Sequence, residues 1–312
     1  MDYLYNFHDR EAKDPRDKVY ALLGLLPPKF TLPVNYAKDI AQWQRDMSFH
    51  LLASYPDSTL SILWKETAPQ DNVCSWVKNF DKETTVFNRR IRSEQYRAGN
   101  AKMVKSKRLN DRIISIVGFK VDVVSQVSPE SHFETTYSKD QFSSIRGWAQ
   151  FLLLDDRSQL SYPGGGTLKD AFIRTLTGDL QASETSSLES NEEAMDISIQ
   201  SFLAGEPGDT LVNTSLAEEL NISAAGRRLF TTRRGYIGLG PEWMRPSDEV
   251  WTLFGGSVPF ILRPSEKACS HTFYKTQEFH RHYIVIGDCY VQGIMFGESV
   301  SHDTRGECVH LE

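Results

Sequence analysis

The chain has 312 residues, enough for one large domain or two ordinary domains with a substantial core. Its composition is 40% hydrophobic, 11% aromatic and 24% charged, which excludes a disordered or fibrous protein. A formal net charge of −6 argues against a dedicated nucleic-acid-binding protein, because such proteins usually carry a basic face.

Cysteine usage and the lack of long apolar runs indicate the cellular compartment of the protein. The four cysteines have no CxxC spacing, which favours reduced thiols over disulfides or a zinc site. The N-terminal residues contain no apolar segment typical of a signal peptide, and no apolar run approaches the length of a membrane span. We therefore expect a soluble, cytoplasmic or nuclear protein without a membrane partner.

Residues 1–70 are predicted to form an N-terminal helical segment. In residues 14–26, Asp14 suits a cap, Pro15 suits the first helical position, and apolar residues follow at helical spacing. Arg16 and Asp17 are expected to make capping or ion-pair contacts. A second helix is predicted over residues 40–54, with Asp39 as its N-cap.

Residues 71–134 are predicted to be the first part of a β unit. Two β-branched runs, 113–117 and 121–127, are separated by Gly118, which indicates either two strands or one bent strand. A helical insertion is then predicted over 135–224. Within it, residues 181–194 are rich in Ser and Glu, which predicts a mobile loop.

Residues 225–312 are predicted to be the second part of the β unit. Short apolar runs alternate there with Gly, Pro and Ser-Asp, a pattern typical of strands joined by tight turns. Five glycines are expected to serve turns or bulges that need a positive φ: Gly235, Gly238, Gly240, Gly255 and Gly256. The sequence thus predicts an α+β fold, with a curved antiparallel sheet or small barrel split by the helical insertion.

Several motifs resemble the region that follows the heterokaryon-incompatibility (HET) domain in fungal HET proteins. In sequence order they are residues 14–24, 34–36, 75–77, 174–176, 226–230, 234–241, 248–250, 258–263 and 290–298. At residues 78–80, Lys-Asn-Phe replaces the Pro-Asp-Trp typical of the family. The resemblance covers the part that lies after the HET domain, so we expect the HET domain itself to be absent. It implies a link to fungal non-self recognition and supplies no catalytic residues.

The residues themselves suggest few sites of chemistry. Arg234, Asp248, Asp288 and Glu298 are the candidates for an acid–base site at one end of a barrel, although Asp248 also suits a turn. A second group contains residues suited to binding an anion, to ion pairs across strands or to apolar contact: Arg227, Arg228, Arg233, Tyr236, Trp243 and Trp251.

No metal or cofactor is expected. Two histidines, His280 and His282, are two positions apart, but no third ligand has a recognisable spacing, and exposed hairpin histidines are the simpler interpretation. Cys289 lies in an alternating run and is expected to be a small core residue. The sequence also lacks a nucleophile elbow, a dinucleotide fingerprint and a phosphate-binding loop.

Two functional hypotheses follow. The first is a HET-protein-like regulatory or recognition module that lacks a catalytic site and contacts a protein partner; a purely structural scaffold is a variant of it. The alternative is a cofactor-independent enzyme, such as a cyclase or isomerase of fungal secondary metabolism. Its aromatic side chains would enclose an apolar small molecule in the β unit.

Overall fold

The computed structural model describes residues 11–25, 34–54, 59–65, 67–80, 95–99, 105–130, 139–178, 220, 222–265, 281–301 and 304–312. The predicted mobile loop at 181–194 lies outside these residues, and so does His280. The division into four segments stays a prediction. Among the described residues, no helix combines the length and the apolar character that crossing a bilayer requires.

The helices precede the sheet or lie between its strands in sequence. They are α1 (Asp17–Tyr20), α2 (Ile40–Ser54), α3 (Lys139–Phe151), α4 (Leu154–Arg157) and α5 (Leu168–Thr177). Single 3₁₀ turns cover Leu23–Leu25 and Thr59–Leu63. The predicted helix over residues 40–54 is confirmed, and the Asp39 carboxylate accepts a hydrogen bond from the Ala41 N–H at 3.1 Å.

The predicted helix over residues 14–26 is much shorter than expected. Only α1 is α-helical, and a 3₁₀ turn follows it around Gly24, a residue that weakens helices. Arg16 fixes the start of the segment. Its guanidinium binds the Asp14 carboxylate, with the closest N–O distance 2.6 Å, and also donates to the Tyr36 and Lys38 carbonyls at 2.8 and 2.9 Å. The expected ion-pair role of Arg16 is therefore confirmed.

The strands form one mostly antiparallel sheet. They are β1 (Ser106–Arg108), β2 (Ile114–Val127), β3 (Arg227–Thr232), β4 (Ile237–Pro241), β5 (Glu249–Leu253), β6 (Phe260–Pro264), β7 (His282–Asp288), β8 (Tyr290–Val291) and β9 (Glu307–Leu311). Five of the strands form a closed ring. Each pairs with the next in the order β2, β5, β6, β7 and β9, and β9 pairs with β2. Strands β3, β4 and β8 extend the sheet from β2, and the β7–β9 pair is parallel. The predicted α+β fold is confirmed.

Strand β2 connects the two parts of the predicted β unit. It is one bent strand, and its register shifts between Lys120 and Asp122 and again between Val124 and Gln126. Such bulges add local twist, which helps one long strand to pair with several neighbours. In sequence, β2 precedes helices α3 to α5, and β3, β5 and β9 follow them. Because β2 pairs with these three strands, the strands on both sides of the helices belong to one sheet.

Both faces of the sheet are covered by apolar side chains. In β5, Val250 belongs to one buried cluster and Trp251 to another, and in β6 Ile261 and Leu262 divide in the same way. The larger cluster also contains side chains of α2 and α5. Successive side chains of a strand point to opposite faces, so a sheet covered on both sides has continuous apolar runs.

The predicted glycine positions serve two different purposes. Gly235 and Gly255 have φ values of 89° and 83°, as expected for turns. Gly238 is required for space instead, since a Cβ there would lie 2.2 Å from the carbonyl oxygen of Tyr290 on β8. The prediction of positive φ is therefore wrong for Gly238, Gly240 and Gly256, which are not among the positive-φ glycines.

Candidate functional site

A deeply buried ion pair joins two residues from distant parts of the sequence. Arg227 opens β3, directly after Gly226 with φ of 64°, and Asp288 ends β7, directly after Gly287 with φ of 150°. The β3–β4–β8 pairings and the short β7–β8 connection bring these two strand ends together. The sheet thus unites one residue predicted to bind an anion with one predicted to act as an acid or base.

The Arg227 guanidinium satisfies two acceptors. One terminal nitrogen donates to the Leu239 carbonyl at 3.1 Å, and the other donates to Oδ2 of Asp288. The two side chains are only 6% and 4% exposed. Oδ1 of Asp288 is buried and accepts no hydrogen bond from the described residues. A buried carboxylate oxygen without a donor is costly, so this atom needs an explanation.

A small cavity lies beside this pair. Its volume is about 40 Å³, and Arg227 and Asp288 both line it. Three aromatic residues form part of its wall: Trp64, Tyr96 and Tyr290. A water molecule needs at least about 10–15 Å³ of such space, so the cavity has room for about three groups of that size. It is far below the several hundred Å³ typical of sites for drug-sized molecules.

Cys289 also lines the cavity, and it is 1% exposed. Burial raises the pKa of its thiol, and the Arg227 charge offsets only part of this increase. Reactive cysteines have a lowered pKa and some exposure, so this thiol has the properties of a core residue, as predicted.

Asp248 lies in a second ion pair. Its two carboxylate oxygens accept from Nε and a terminal nitrogen of Arg263 at 2.7 and 2.9 Å, and one also accepts from the Arg245 N–H at 2.8 Å. The same Arg263 donates to the Trp243 carbonyl at 3.1 Å, and the Trp243 indole donates to the Ile286 carbonyl at 2.7 Å. These contacts hold the turn between β4 and β5.

Trp251 contacts an acidic residue that is not among the candidates from the sequence. Its indole donates to Glu249 at 2.9 Å, and Glu249 is 5% exposed. The carboxylate of Glu249 also lies 3.5 Å from the Lys120 ammonium and 3.9 Å from the Arg281 guanidinium. Burial and this carboxylate raise the pKa of Tyr283 to about 12. The only sequence signal for Glu249 is a charged residue at the start of an apolar strand.

Two of the predicted arginines lie at the surface, apart from the cavity. The Arg234 N–H donates to the Asp122 carboxylate at 2.9 Å, and its guanidinium lies 5.8 Å from the Tyr236 ring centre. Arg233 is exposed as well. Neither arginine is in contact with Asp248 or Asp288 among the contacts described.

The two remaining candidates bind backbone groups. Arg228 donates from Nε to the Ser128 carbonyl at 2.6 Å, and Glu298 accepts from the Phe296 N–H at 2.7 Å. The candidate acids are thus held by separate partners. In the described part of the chain, no group of three or more histidine, cysteine or acidic side chains is arranged to hold a metal ion.

The C-terminal region is similar to known proteins. Residues 208–309 match the model of the Het-6 β-barrel domain. A stretch of 73 residues is 33% identical to heterokaryon incompatibility protein 6, OR allele, of Neurospora crassa. This stretch is 23% of the chain but only 9% of that relative, so the match spans a small part of it. No solved structure matches the chain. The resemblance to the C-terminal region of HET proteins is confirmed.

Proposed function

Because its C-terminal region matches the Het-6 β-barrel domain of the heterokaryon-incompatibility family, we propose that the protein is a regulatory or recognition module of fungal non-self recognition, without a catalytic site of its own. The observation that carries this proposal is the match over residues 208–309. In such a role the sheet and the helices present a surface to a protein partner in the cytoplasm.

The chemistry of the described residues supports a module without catalysis. A general acid–base pair needs two titratable groups that reach one substrate. Here the buried acids Asp248 and Asp288 are each neutralised by an arginine from another part of the sheet. Such pairs fix strand register and need no substrate.

No specific observation favours the alternative, an enzyme of secondary metabolism. That hypothesis needs a pocket for an apolar substrate. The cavity beside Asp288 measures about 40 Å³, and a second cavity, lined by Trp64, Val73 and Lys78 among others, measures about 160 Å³, which is also below the several hundred Å³ typical of such sites. The enzyme hypothesis therefore stays a prediction from the aromatic content of the strands.

Expression in Neurospora crassa tests the regulatory role. The protein would be produced in a strain that carries heterokaryon incompatibility protein 6, and the viability of heterokaryons would be scored with a vital dye. A matched control is Phe230→Asp, because Phe230 is 0% exposed and a carboxylate there disrupts the core. We expect the wild-type protein to change the fraction of dead compartments and the control to leave it unchanged. Equal viability with wild type, control and empty vector, while the wild-type protein accumulates, refutes the proposal.

A further inference from the structure

The ring of strands is closed by one short parallel seam between β7 and β9. These two strands pair at two positions only, residues 282–283 against residues 310–311. Every other pair of neighbours in the ring is antiparallel and has at least three paired positions. Backbone pairing is therefore weakest at this seam, so side-chain contacts across it matter more for holding the last strand in the ring.

Two histidines and one acid meet across the seam. Nδ1 of His282, the first residue of β7, lies 3.7 Å from Oε2 of Glu312, which directly follows β9. The two side chains are only 3% and 16% exposed, so water screens the interaction between their charges weakly. The ring centres of His282 and His310 are 5.7 Å apart. A proton on His282 therefore produces an ion pair that joins the two strands.

Hydrogen bonds fix the Glu312 carboxylate beside the His282 imidazole. Ser265, which directly follows β6, donates its hydroxyl hydrogen to Oε1 of Glu312, and its N–H donates to the His282 carbonyl at 2.8 Å. The Glu312 N–H donates to the Tyr283 carbonyl at 3.0 Å, and the Ser75 N–H donates to the Glu312 carbonyl at 2.8 Å. Because the acid is already held in place, the ion pair forms with little loss of side-chain freedom.

The charged residues on either side of His282 in the sheet have partners of their own. Arg263, on the neighbouring strand β6, binds the Asp248 carboxylate at 2.7 Å. Arg281, which precedes His282, lies 3.9 Å from the Glu249 carboxylate. Arginine keeps its proton at all pH values of interest, so neither residue changes its charge near neutral pH.

Two further arginines share the surroundings of Glu312. Burial raises the pKa of the Cys74 thiol, the charges of Arg112 and Arg45 lower it, and the charge of Glu312 raises it further. These arginines also keep a constant charge near neutral pH. On β9, the exposed Cys308 lies two positions before His310, so both point to the same face. Among the described groups at the seam, the imidazoles are those that titrate between about pH 5 and 8.

From this arrangement we propose that the seam closes more tightly in acid, because protonated His282 forms an ion pair with Glu312 that holds β9 against β7. The unfolded chain exposes both groups and lacks this pair, so the folded protein binds the proton more firmly. The stabilisation is therefore present below about pH 6.5 and is lost as the pH rises above it. This pH response is separate from the proposed recognition role and does not depend on it.

Hydrogen exchange of the full-length protein, followed by mass spectrometry of the peptide that contains β9, tests the proposal. Glu312→Gln removes the charge and keeps an oxygen that accepts from Ser265. The variant and the wild type are compared at the same pH, so the intrinsic pH dependence of exchange cancels in the ratio of their rates. We expect this ratio to be at least about threefold larger near pH 6 than near pH 8.

His310→Gln is the matched control, because it removes the neighbouring imidazole and leaves the His282–Glu312 pair. Its exchange relative to the wild type should not become faster at the lower pH. Nitrogen-15 NMR of the imidazoles supplies a second readout, and His282 should lose its proton at a higher pH in the wild type than in Glu312→Gln. A rate ratio that is equal at both pH values overturns the proposal. If Glu312→Gln does not fold, the wild type alone decides, since a His282 that stays neutral down to about pH 5 also overturns it.

Discussion

The buried Arg227–Asp288 pair provides the sharpest test of how this sheet is held together. Its two members are 6% and 4% exposed, and they join the first residue of β3 to the last residue of β7. Removing one partner of a buried pair typically costs about 3–5 kcal/mol, because the other charge stays buried without compensation. We therefore expect Arg227→Met and Asp288→Asn each to lower the free energy of unfolding by that amount.

The double variant should behave differently from the sum of the two single variants. Replacing both members by neutral side chains removes the stranded charge, and such replacements of buried pairs are often close to neutral. We expect Arg227→Met with Asp288→Asn to be more stable than either single variant. The resulting coupling energy should be a few kcal/mol, measured by urea unfolding followed by circular dichroism.

A control pair in the same sheet separates burial from charge. Lys120 and Glu249 are 3.5 Å apart, but the Lys120 side chain is 43% exposed. Lys120→Met should therefore cost less than about 1 kcal/mol. The reasoning is refuted if the Arg227 and Asp288 variants cost as little as the Lys120 variant, or if their effects add within about 0.5 kcal/mol.

Three further predictions concern packing, capping and thiol reactivity. Gly238→Ala should lower the free energy of unfolding by at least about 2 kcal/mol, because its Cβ would lie 2.2 Å from a carbonyl oxygen of the neighbouring strand; a loss below about 0.5 kcal/mol in urea unfolding contradicts this. Thr167→Ala should cost about 1 kcal/mol at neutral pH, since it removes the capping box with Asp170 at the start of α5. The Thr167 hydroxyl lowers the pKa of Asp170, so the cost should shrink as the pH falls below about 4, and a cost independent of pH would argue against it. Iodoacetamide should label the exposed Cys308 rapidly and the buried Cys289 only after unfolding, as peptide mass spectrometry of each site can check; equal labelling of both in the folded protein is the opposing result.

The architecture can be predicted because its signals are local. Short apolar runs separated by glycine and proline predict strands whatever the pairing partner of each strand. In the same way, β-branched residues around Gly118 predict β2. The order of the elements predicts that β2 joins the later strands, and the pairings of β2 confirm it. The start of the helix after Asp14 cannot be predicted in this way, because the Arg16 contacts with Tyr36 and Lys38 depend on how two loops meet.

The candidate site could not be predicted from residue types, because its residues meet only in the folded sheet. Residue type indicates Arg227 as a residue suited to binding anions. It indicates Asp288 separately, as an acid near a turn. Their pairing depends on strand register over 61 positions of separation, which residue type alone does not specify. Glu249 shows the same limit, because an acid at the start of an apolar strand gives no sign that Trp251 and Lys120 will meet it.

The Asp248–Arg263 pair allows a final test, of whether geometry or charge alone holds the turn before β5. Arg263 presents two nitrogens to the two carboxylate oxygens and also reaches the Trp243 carbonyl. Lysine keeps the charge but offers one compact ammonium, so Arg263→Lys should cost about 1–3 kcal/mol through acceptors left unsatisfied. Arg263→Met should cost more, about 3–5 kcal/mol, since Asp248 is 2% exposed and would lose its cation. If urea unfolding gives the lysine variant the stability of the wild type, the fork geometry contributes nothing and charge alone accounts for the pair.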